Sequence, residues 1–397
     1  MVTQPTHVVV IGGGYAGTMA ANRLRRRRDL AITLVNRRPE FVERTRLHRL
    51  VSGTHRATTD LAGLLGRGIR LVVDDVARID PAERTVHLAS GAALRYDHLV
   101  YAAGSSAPSA SAVAGVEHTY DVGELTGARR LRAALAGLPP SVPLTVVGGG
   151  PTGIETASEL AEAGRAVRLL CGGRLAPSLG DRARRTMAAQ LTGLGVDVVE
   201  HGSVQEVRPG AVVLDDGATL PSPVTAWAGG FAPSGLARAS GLRTDARGRL
   251  LTDETLTSLD DDHIVGAGDA VSPGGRPLAM GCRSALPLGA MAADTVLSRV
   301  AGTRPDPVDF GFYAIGVSIG RRVATVQLTE RDDSPTERVF AGRLAARVKD
   351  AGLTGAVLGL RLESVRPGSA VWPRGASVRP RGSSATAPAP RRLSSRR

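Results

Sequence analysis

Lysine is almost missing from this chain: of its 50 basic residues, only Lys349 is not an arginine. Together with the abundance of Ala and Gly, that skew reads as a GC-rich coding bias rather than a selected basic patch. Cysteine is nearly as scarce. Cys171 and Cys282 are the only two, and neither belongs to a CxxC or CxxxxC pair. That excludes a local redox disulfide and a zinc site spelled out in sequence, and it fits a reducing, cytoplasmic setting. No stretch approaches the run of about 18 apolar residues that a membrane-spanning helix requires. The first residues pass directly into strand-like "HVVVIGGG", without the charged, apolar and small-residue segments of an export leader. Aromatics are 3% of the residues, and beyond Trp372 there are none. Eight arginines come after Glu363 with no acid among them, so much of the net charge of +13 sits in one tail. With no aromatic stacking platform beyond Trp372, that tail reads as a solvated end and not as a nucleic-acid grip.

What is present is organised twice. A length of 397 residues implies two or three domains, and 42% hydrophobic residues with mean hydropathy near zero describe a soluble globular chain. The first half runs from an apolar strand through a Gly-rich turn into an Ala/Arg-rich helix (Thr18 to Arg27) and a second strand, "AITLVN". The second half opens with "LTVVGGG", then helix "IETASELAEAG" and strand "AVRLL". Each half continues into short β-like runs and closes on small residues, Ala103-Gly104 and Gly229-Gly230. The expected fold class is α/β: two Rossmann-like dinucleotide-binding domains, glutathione-reductase-like, with a small α+β C-terminal region. The expected units are residues 1–115 with 245–308, residues 116–244, and residues 309–372. Residues 373–397, rich in Pro, Ser, Ala and Arg, form an expected disordered basic tail.

Both turns carry the G-x-G-x-x-G spacing, as Gly12, Gly14, Gly17 and as Gly148, Gly150, Gly153. The first glycine permits the tight turn and the second lets backbone approach a pyrophosphate. The third lets the helix pack close to the strand, with the helix N-terminus facing the phosphates. Each turn comes after an apolar strand and opens a helix, which is the confirming context, so two dinucleotides are expected. A later strand ends in "VGAGDAV", placing Asp269 where it can accept hydrogen bonds from a sugar-alcohol chain. FAD has such a ribitol and NAD does not, so FAD is expected at the first turn and NADH or NADPH at the second.

Taken together, "VVIGGGYAG", "YDHLVYAAG", "VVGGGPTGIE" and "IVGAGDA" resemble the two-dinucleotide flavoprotein superfamily over roughly residues 7 to 300. Within it the chain most resembles type II NADH dehydrogenases and the apoptosis-inducing-factor-like, ferroptosis-suppressor-type NAD(P)H:quinone oxidoreductases. The C-terminal "SIGRR…Q…GRLAARVKD" is similar to the end of the latter. The resemblance implies that the turn Gly12, Gly13, Gly14, Tyr15, Ala16, Gly17 holds the FAD pyrophosphate and that Asn36 meets the adenosine ribose. It further implies that Arg49 contacts FAD, that Val76 packs beside adenine, that Gly104 lines the site and that Asp269 takes the ribitol. Gly148, Gly150 and Gly153 would hold the NAD(P)H pyrophosphate, and Glu155 would be the catalytic acid near nicotinamide and flavin. No metal is implied.

In this reading hydride passes from NAD(P)H to the flavin, and the electrons leave for a small acceptor because no CxxxxC pair comes after the first turn. The acceptor implied is a quinone. An acidic ferredoxin or rubredoxin serving a partner oxygenase is a second possibility, and a flavin-bearing redox switch a third. The chain departs from the type II dehydrogenases in three places. Their Gln-bearing helix start is replaced by "GCRSALPLGAM" (Gly281 to Met291), and their C-terminal membrane helices have no obvious counterpart. The acid that selects NADH after the second strand of the second unit is replaced by Cys171, with Arg174 three residues on, so NADPH stays open. Phe340, Leu344 and Val348 with Arg343, Arg347 and Lys349 make an amphipathic basic segment. It is suited either to core packing or to peripheral contact with the inner face of a membrane.

Overall fold

Val8, Val9 and Val10 have no exposed surface, because their strand, Thr6–Ile11, lies in the middle of five parallel strands covered on both faces. The order across this sheet is Ile264–Gly266, His98–Tyr101, Thr6–Ile11, Leu30–Asn36, Ile69–Val73. Parallel strands connected through helices are buried on both sides, which is why they read as runs of Val, Ile and Leu rather than as alternation. The computed structural model describes residues 5–106 and 113–375. Helix α1 (Tyr15–Leu24) comes straight after the central strand, and the short α2 (Leu47–Val51) stands between two edge segments.

The second unit repeats the plan. Helix α3 (Leu125–Ala136) leads into a parallel sheet ordered Tyr120–Asp121, Val224–Trp227, Leu144–Val147, Val167–Leu170, Asp197–Val199. Helix α4 (Pro151–Glu162) comes after its central strand, and α5 (Asp181–Gly193) precedes its last. Each unit also carries a three-stranded antiparallel meander, Val76–Asp80 to Ala93–Arg95 in the first and Val204–Arg208 to Thr219–Pro221 in the second. After the one-turn helix α6 (Leu236–Ala239), the chain returns to the first sheet and adds α7 (Cys282–Val300). Helix α7 rides directly on α1: a Cβ placed on Gly289 would fall 2.2 Å from the carbonyl oxygen of Ala16.

The last unit is an antiparallel sheet, Ala314–Ile319, Val323–Thr329, Pro335–Gly342, then the long helix α8 (Arg343–Val365). It joins the other two. Val317 and Ile319 complete the core of the second unit, while Leu360 of α8 lies in the core of the first. Buried Asn22 of α1 fixes that contact, donating from Nδ2 to the Leu64 carbonyl at 2.9 Å and to the Leu360 carbonyl at 3.4 Å.

Three local expectations shift. Helix α1 begins at Tyr15 and ends at Leu24, three residues earlier at each end than its Ala/Arg composition suggests. Phe340 lies on the last strand, packed near Ala324, Val326 and Ala345, so the helix starts only after Gly342, whose φ is +95°. Lys349 is not on the exposed basic face of α8: its side chain is only 10% exposed and turns to Glu155. Of the tail, Pro373 and Gly375 are hydrogen-bonded to Gly311 and Asp309, and residues 376–397 lie outside the described residues.

The two turns make a matched pair of predictions. A Cβ on Gly17 would fall 1.8 Å from the carbonyl oxygen of Gly12, and one on Gly153 would fall 1.9 Å from that of Gly148. Gly17→Ala and Gly153→Ala should each cost about 1–3 kcal/mol, the usual penalty for overpacking a rigid contact. Urea unfolding reads this as a lower midpoint at unchanged slope.

Candidate functional site

Everything at the first turn converges on an open cleft. Gly12, Gly13 and Gly14 line it, together with Asn36, Val76, Ala103, Ser105 and Arg44. Gly12 takes φ +101°, and a Cβ there would meet the Ala102 carbonyl oxygen at 2.2 Å, so only glycine fits the turn. Gly14 caps α1, makes no side-chain cap, has no acid in the turn after it, and faces nothing within 4 Å. The first amides of α1 therefore point at open space with the positive end of the helix dipole behind them. Asn36, ending the second strand, accepts the Gly13 N–H on Oδ1 at 2.9 Å and donates from Nδ2 to the Arg38 carbonyl at 2.7 Å. Tyr15, Ala16 and Gly17 are the buried first turn of α1 and pack behind the cleft.

The second turn is built the same way. Gly148 takes φ +124°, and a Cβ on it would lie 2.4 Å from the Ala228 carbonyl oxygen. Gly150 caps α4 without a side-chain cap, with no acid in the first turn and nothing within 4 Å. Pro151 at the first helical position gives up an N–H that would be unpaired in any case.

The expected site residues do not all gather. Asp269 sits on the turn after the strand Ile264–Gly266, where Oδ2 accepts the Ser105 hydroxyl at 2.8 Å and Oδ1 accepts the Gly281 N–H at 2.9 Å. It thus backs the cleft through Ser105 and holds the start of α7. Gly104 turns the chain between Ala103 and Ser105 with φ +67°, and its carbonyl accepts the Ser234 N–H at 3.2 Å. Arg49 is directed elsewhere: on α2, it donates to Asp350 of α8 at 2.8 Å and does not line the cleft. Arg44 lines the cleft, bonds the Ser105 carbonyl, and stacks 5.0 Å from the centre of the Phe231 ring.

Glu155 lies on α4, buried where the three units meet. Its Oε1 receives Nζ of Lys349 and the Ser318 N–H at 3.1 Å, and its Oε2 lies 3.4 Å from Nδ1 of His48. Lys349 also donates to the Ser318 hydroxyl at 2.8 Å. Around this core stand Arg46, bonded to Thr354 at 2.8 Å, and the Arg49–Asp350 pair. One turn along α4, Glu159 accepts the hydroxyls of Ser52 at 3.0 Å and Thr54 at 2.8 Å.

Burial, with Arg49 and Arg46 close by, pushes the Lys349 ammonium down to about 7. Burial first, then Lys349, Arg49 and Arg46, hold His48 well below its ordinary range, so its ring is neutral. His48 Nε2 is then a buried ring nitrogen without a hydrogen-bond partner among the described residues. His48 and Arg44 escaped motif reading, whereas Ser318 and Lys349 lie within "SIGRR…Q…GRLAARVKD", a stretch that gave neither of them a role at the site.

Comparison with known proteins agrees with this architecture. Residues 6–287 match the family described as pyridine nucleotide-disulphide oxidoreductase. An NADH dehydrogenase-like protein of Mycobacterium tuberculosis is 31% identical over 326 residues, covering 74% of this chain and 80% of the relative. A type II NADH:quinone oxidoreductase of the same organism is 27% identical over 345 residues, covering 75% and 73%. The sulfide:quinone oxidoreductase of Aquifex aeolicus superposes with a TM-score of 0.79 at 21% identity, over 91% of this chain and 93% of that one; that likeness is one of fold.

Removing one partner of a buried ion pair strands the other charge. Lys349→Met should therefore cost about 3–5 kcal/mol, most of it recovered in the Glu155→Gln, Lys349→Met double variant. Lys349 adds a pH signature. Folded, it releases its proton near 7; unfolded, near 10.5. The unfolded chain holds the extra proton between those values, so this group's contribution to stability rises with pH across that window. Urea midpoints measured from pH 7 to pH 10 should rise less steeply in Lys349→Met than in the wild type.

Proposed function

The chain belongs to the pyridine nucleotide-disulphide oxidoreductase family, and from that premise we propose that it oxidises NADH through FAD and delivers the electrons to a quinone. One observation carries the reading: a single chain presents two glycine-capped helix N-termini open for pyrophosphates, while both of its cysteines are free and sit in different units. Electrons that reach the first site have no disulfide to go to.

The residues at the first turn fit FAD. The amides that open α1 suit its pyrophosphate, Asn36 could offer its amide to the ribose, Val76 of the cleft wall would pack beside adenine, and Ser105 backed by Asp269 suits the ribitol. Arg44, with its cation over Phe231, closes the side of the cleft. FAD bound there would supply the hydride acceptor and a two-electron store. Gly148, Gly150 and Gly153 would hold the pyrophosphate of NADH. Glu155, paired with Lys349 and with the neutral ring of His48 beside it, is the buried acid that would stand near nicotinamide and flavin.

The route to a quinone is supported by α8. Leu344, Val348, Leu358, Leu362 and Val365 are between 49% and 81% exposed. Their spacing, with Ala351 and Gly355 between, is alternately four and three residues, so they form one stripe along the helix. Arg343, Arg347 and Arg361 are exposed beside it, whereas Asp350 is tied to Arg46 and Arg49 and Glu363 is buried. Such a face suits the surface of an anionic bilayer, where a lipid-soluble acceptor resides. Among the described residues, no helix is long and apolar enough to cross a membrane.

Anaerobic titration of the FAD-loaded protein with NADH should bleach the flavin band, and a quinone should restore it faster than an acidic ferredoxin. Faster reoxidation by ferredoxin would move the protein to the second class of acceptor. No bleaching by NADH would remove the second site from the reading. The Leu358→Glu, Leu362→Glu variant should lose at least about fivefold in co-sedimentation with anionic vesicles.

A further inference from the structure

Beside the two nucleotide turns, one position differs in a way that bears on which nicotinamide nucleotide is accepted. In the first unit, the residue that ends the second strand is Asn36; a Cβ on Gly13 would meet its Cγ at 2.9 Å. In the second unit, Cys171 stands in the same place: a Cβ on Gly149 would meet its Cβ at 2.8 Å. Cys171 is buried, and its thiol, pushed up to about 12 by burial and then by Glu200, stays protonated. Neither a carboxylate to bind a ribose 2′-hydroxyl nor a negative charge to repel a 2′-phosphate stands at that position.

The segment beyond Cys171 opens the space further. Gly172 and Gly173 have no side chains, and nothing lies within 4 Å of a Cβ on Gly173. Arg174 comes next. Its carbonyl oxygen packs against the turn, 2.7 Å from a Cβ on Gly149, which anchors its backbone beside the nucleotide site. Its guanidinium is half exposed and donates from Nη2 to Asp181 Oδ1 at 2.6 Å. Arg184 approaches the same carboxylate oxygen at 3.6 Å, and its Nε makes no hydrogen bond. The other acid present, Glu200, is engaged by the loop: Oε2 accepts the Leu175 N–H at 3.0 Å, and Oε1 lies 3.5 Å from Arg184. Among the described residues, Asp181, whose side chain is 62% exposed, is thus the one group whose side chain holds the Arg174 guanidinium, and an exposed ion pair of this kind exchanges with little loss of stability. A phosphate offers an arginine fork a bidentate partner with more charge than this single-contact carboxylate.

We propose that the second site takes NADPH as well as NADH, with Arg174 as the residue that receives the 2′-phosphate and Asp181 as the group that holds Arg174 in its absence. This rests on the second turn being a nicotinamide-nucleotide site. The test is therefore binding rather than turnover, and it separates the two ideas.

Calorimetry on the FAD-loaded protein would compare NADP⁺ with NAD⁺, and 2′,5′-ADP with 5′-AMP. The wild type should bind 2′,5′-ADP more tightly than 5′-AMP. Arg174→Ala should weaken NADP⁺ and 2′,5′-ADP by about tenfold or more, the loss expected of one charge-assisted contact, and shift NAD⁺ by less than about threefold. Arg174→Lys should keep part of the affinity, and Asp181→Asn should tighten NADP⁺ by freeing the arginine. The proposal is overturned if the wild type binds NAD⁺ but rejects 2′,5′-ADP, or if Arg174→Ala weakens both nucleotides equally. It is also overturned if Arg184→Ala, and not Arg174→Ala, removes the preference. Failure of every nucleotide to bind would instead sink the reading of the second turn itself.

Discussion

The contact between Glu155 and Lys349 is the constraint on which the rest of the structure leans. Glu155 comes from the helix after the second glycine turn, Lys349 from the last helix, and His48 faces them from the first unit. A carboxylate brought into the interior without a partner would be strongly destabilising, and so would an isolated ammonium. The three units must therefore be seated together for either charge to be tolerated. That couples the docking of α8 to the geometry between the two nucleotide turns. The outer ring of Arg46, Arg49, Asp350 and Thr354 extends the same seam. An arginine at position 349 would carry a larger, planar group that holds its charge. The compact ammonium fits beneath Ser318 and Glu155, and burial shifts its pKa.

The doubled architecture shows how far one local solution carries. Both turns need a glycine with positive φ against a neighbouring carbonyl, an uncapped helix start, and a third glycine against the first. Those demands are set by backbone sterics and are identical in the two units. What distinguishes the sites lies outside the turns. In the first, Asn36 locks to the Gly13 amide and Arg44 reaches in from the segment before α2. In the second, the equivalent strand is followed by a thiol and two glycines, and then by Arg174 paired with exposed Asp181.

The C-terminal unit combines two tasks on one helix. The inner side of α8 carries Ala345, Lys349 and Leu360 into three different environments, and its outer side leaves an apolar stripe bordered by arginines. The apparent basic amphipathic segment of the sequence is therefore split. Phe340 belongs to the preceding strand, Lys349 to the interior, and only Leu344, Val348, Arg343 and Arg347 remain at the surface. Helical periodicity could not reveal this, because a strand ending in Gly342 and a helix starting after it share the same apolar spacing for a few residues.

The sequence by itself determined the two parallel-sheet units, both glycine turns and the absence of a cysteine pair, while the place of Asn36 came only through the family resemblance. The units and the turns come from local rules: strand burial writes apolar runs, and a tight turn against a carbonyl admits only glycine. Tertiary structure alone decided which arginine faces the cleft. Arg44 and Arg49 lie five residues apart with no pattern to separate them, and the docking of Asp350 draws Arg49 away. It also decided that Glu155 meets a lysine 194 positions distant, since the folding together of three units, and no feature of either segment, brings those two charges into one buried site.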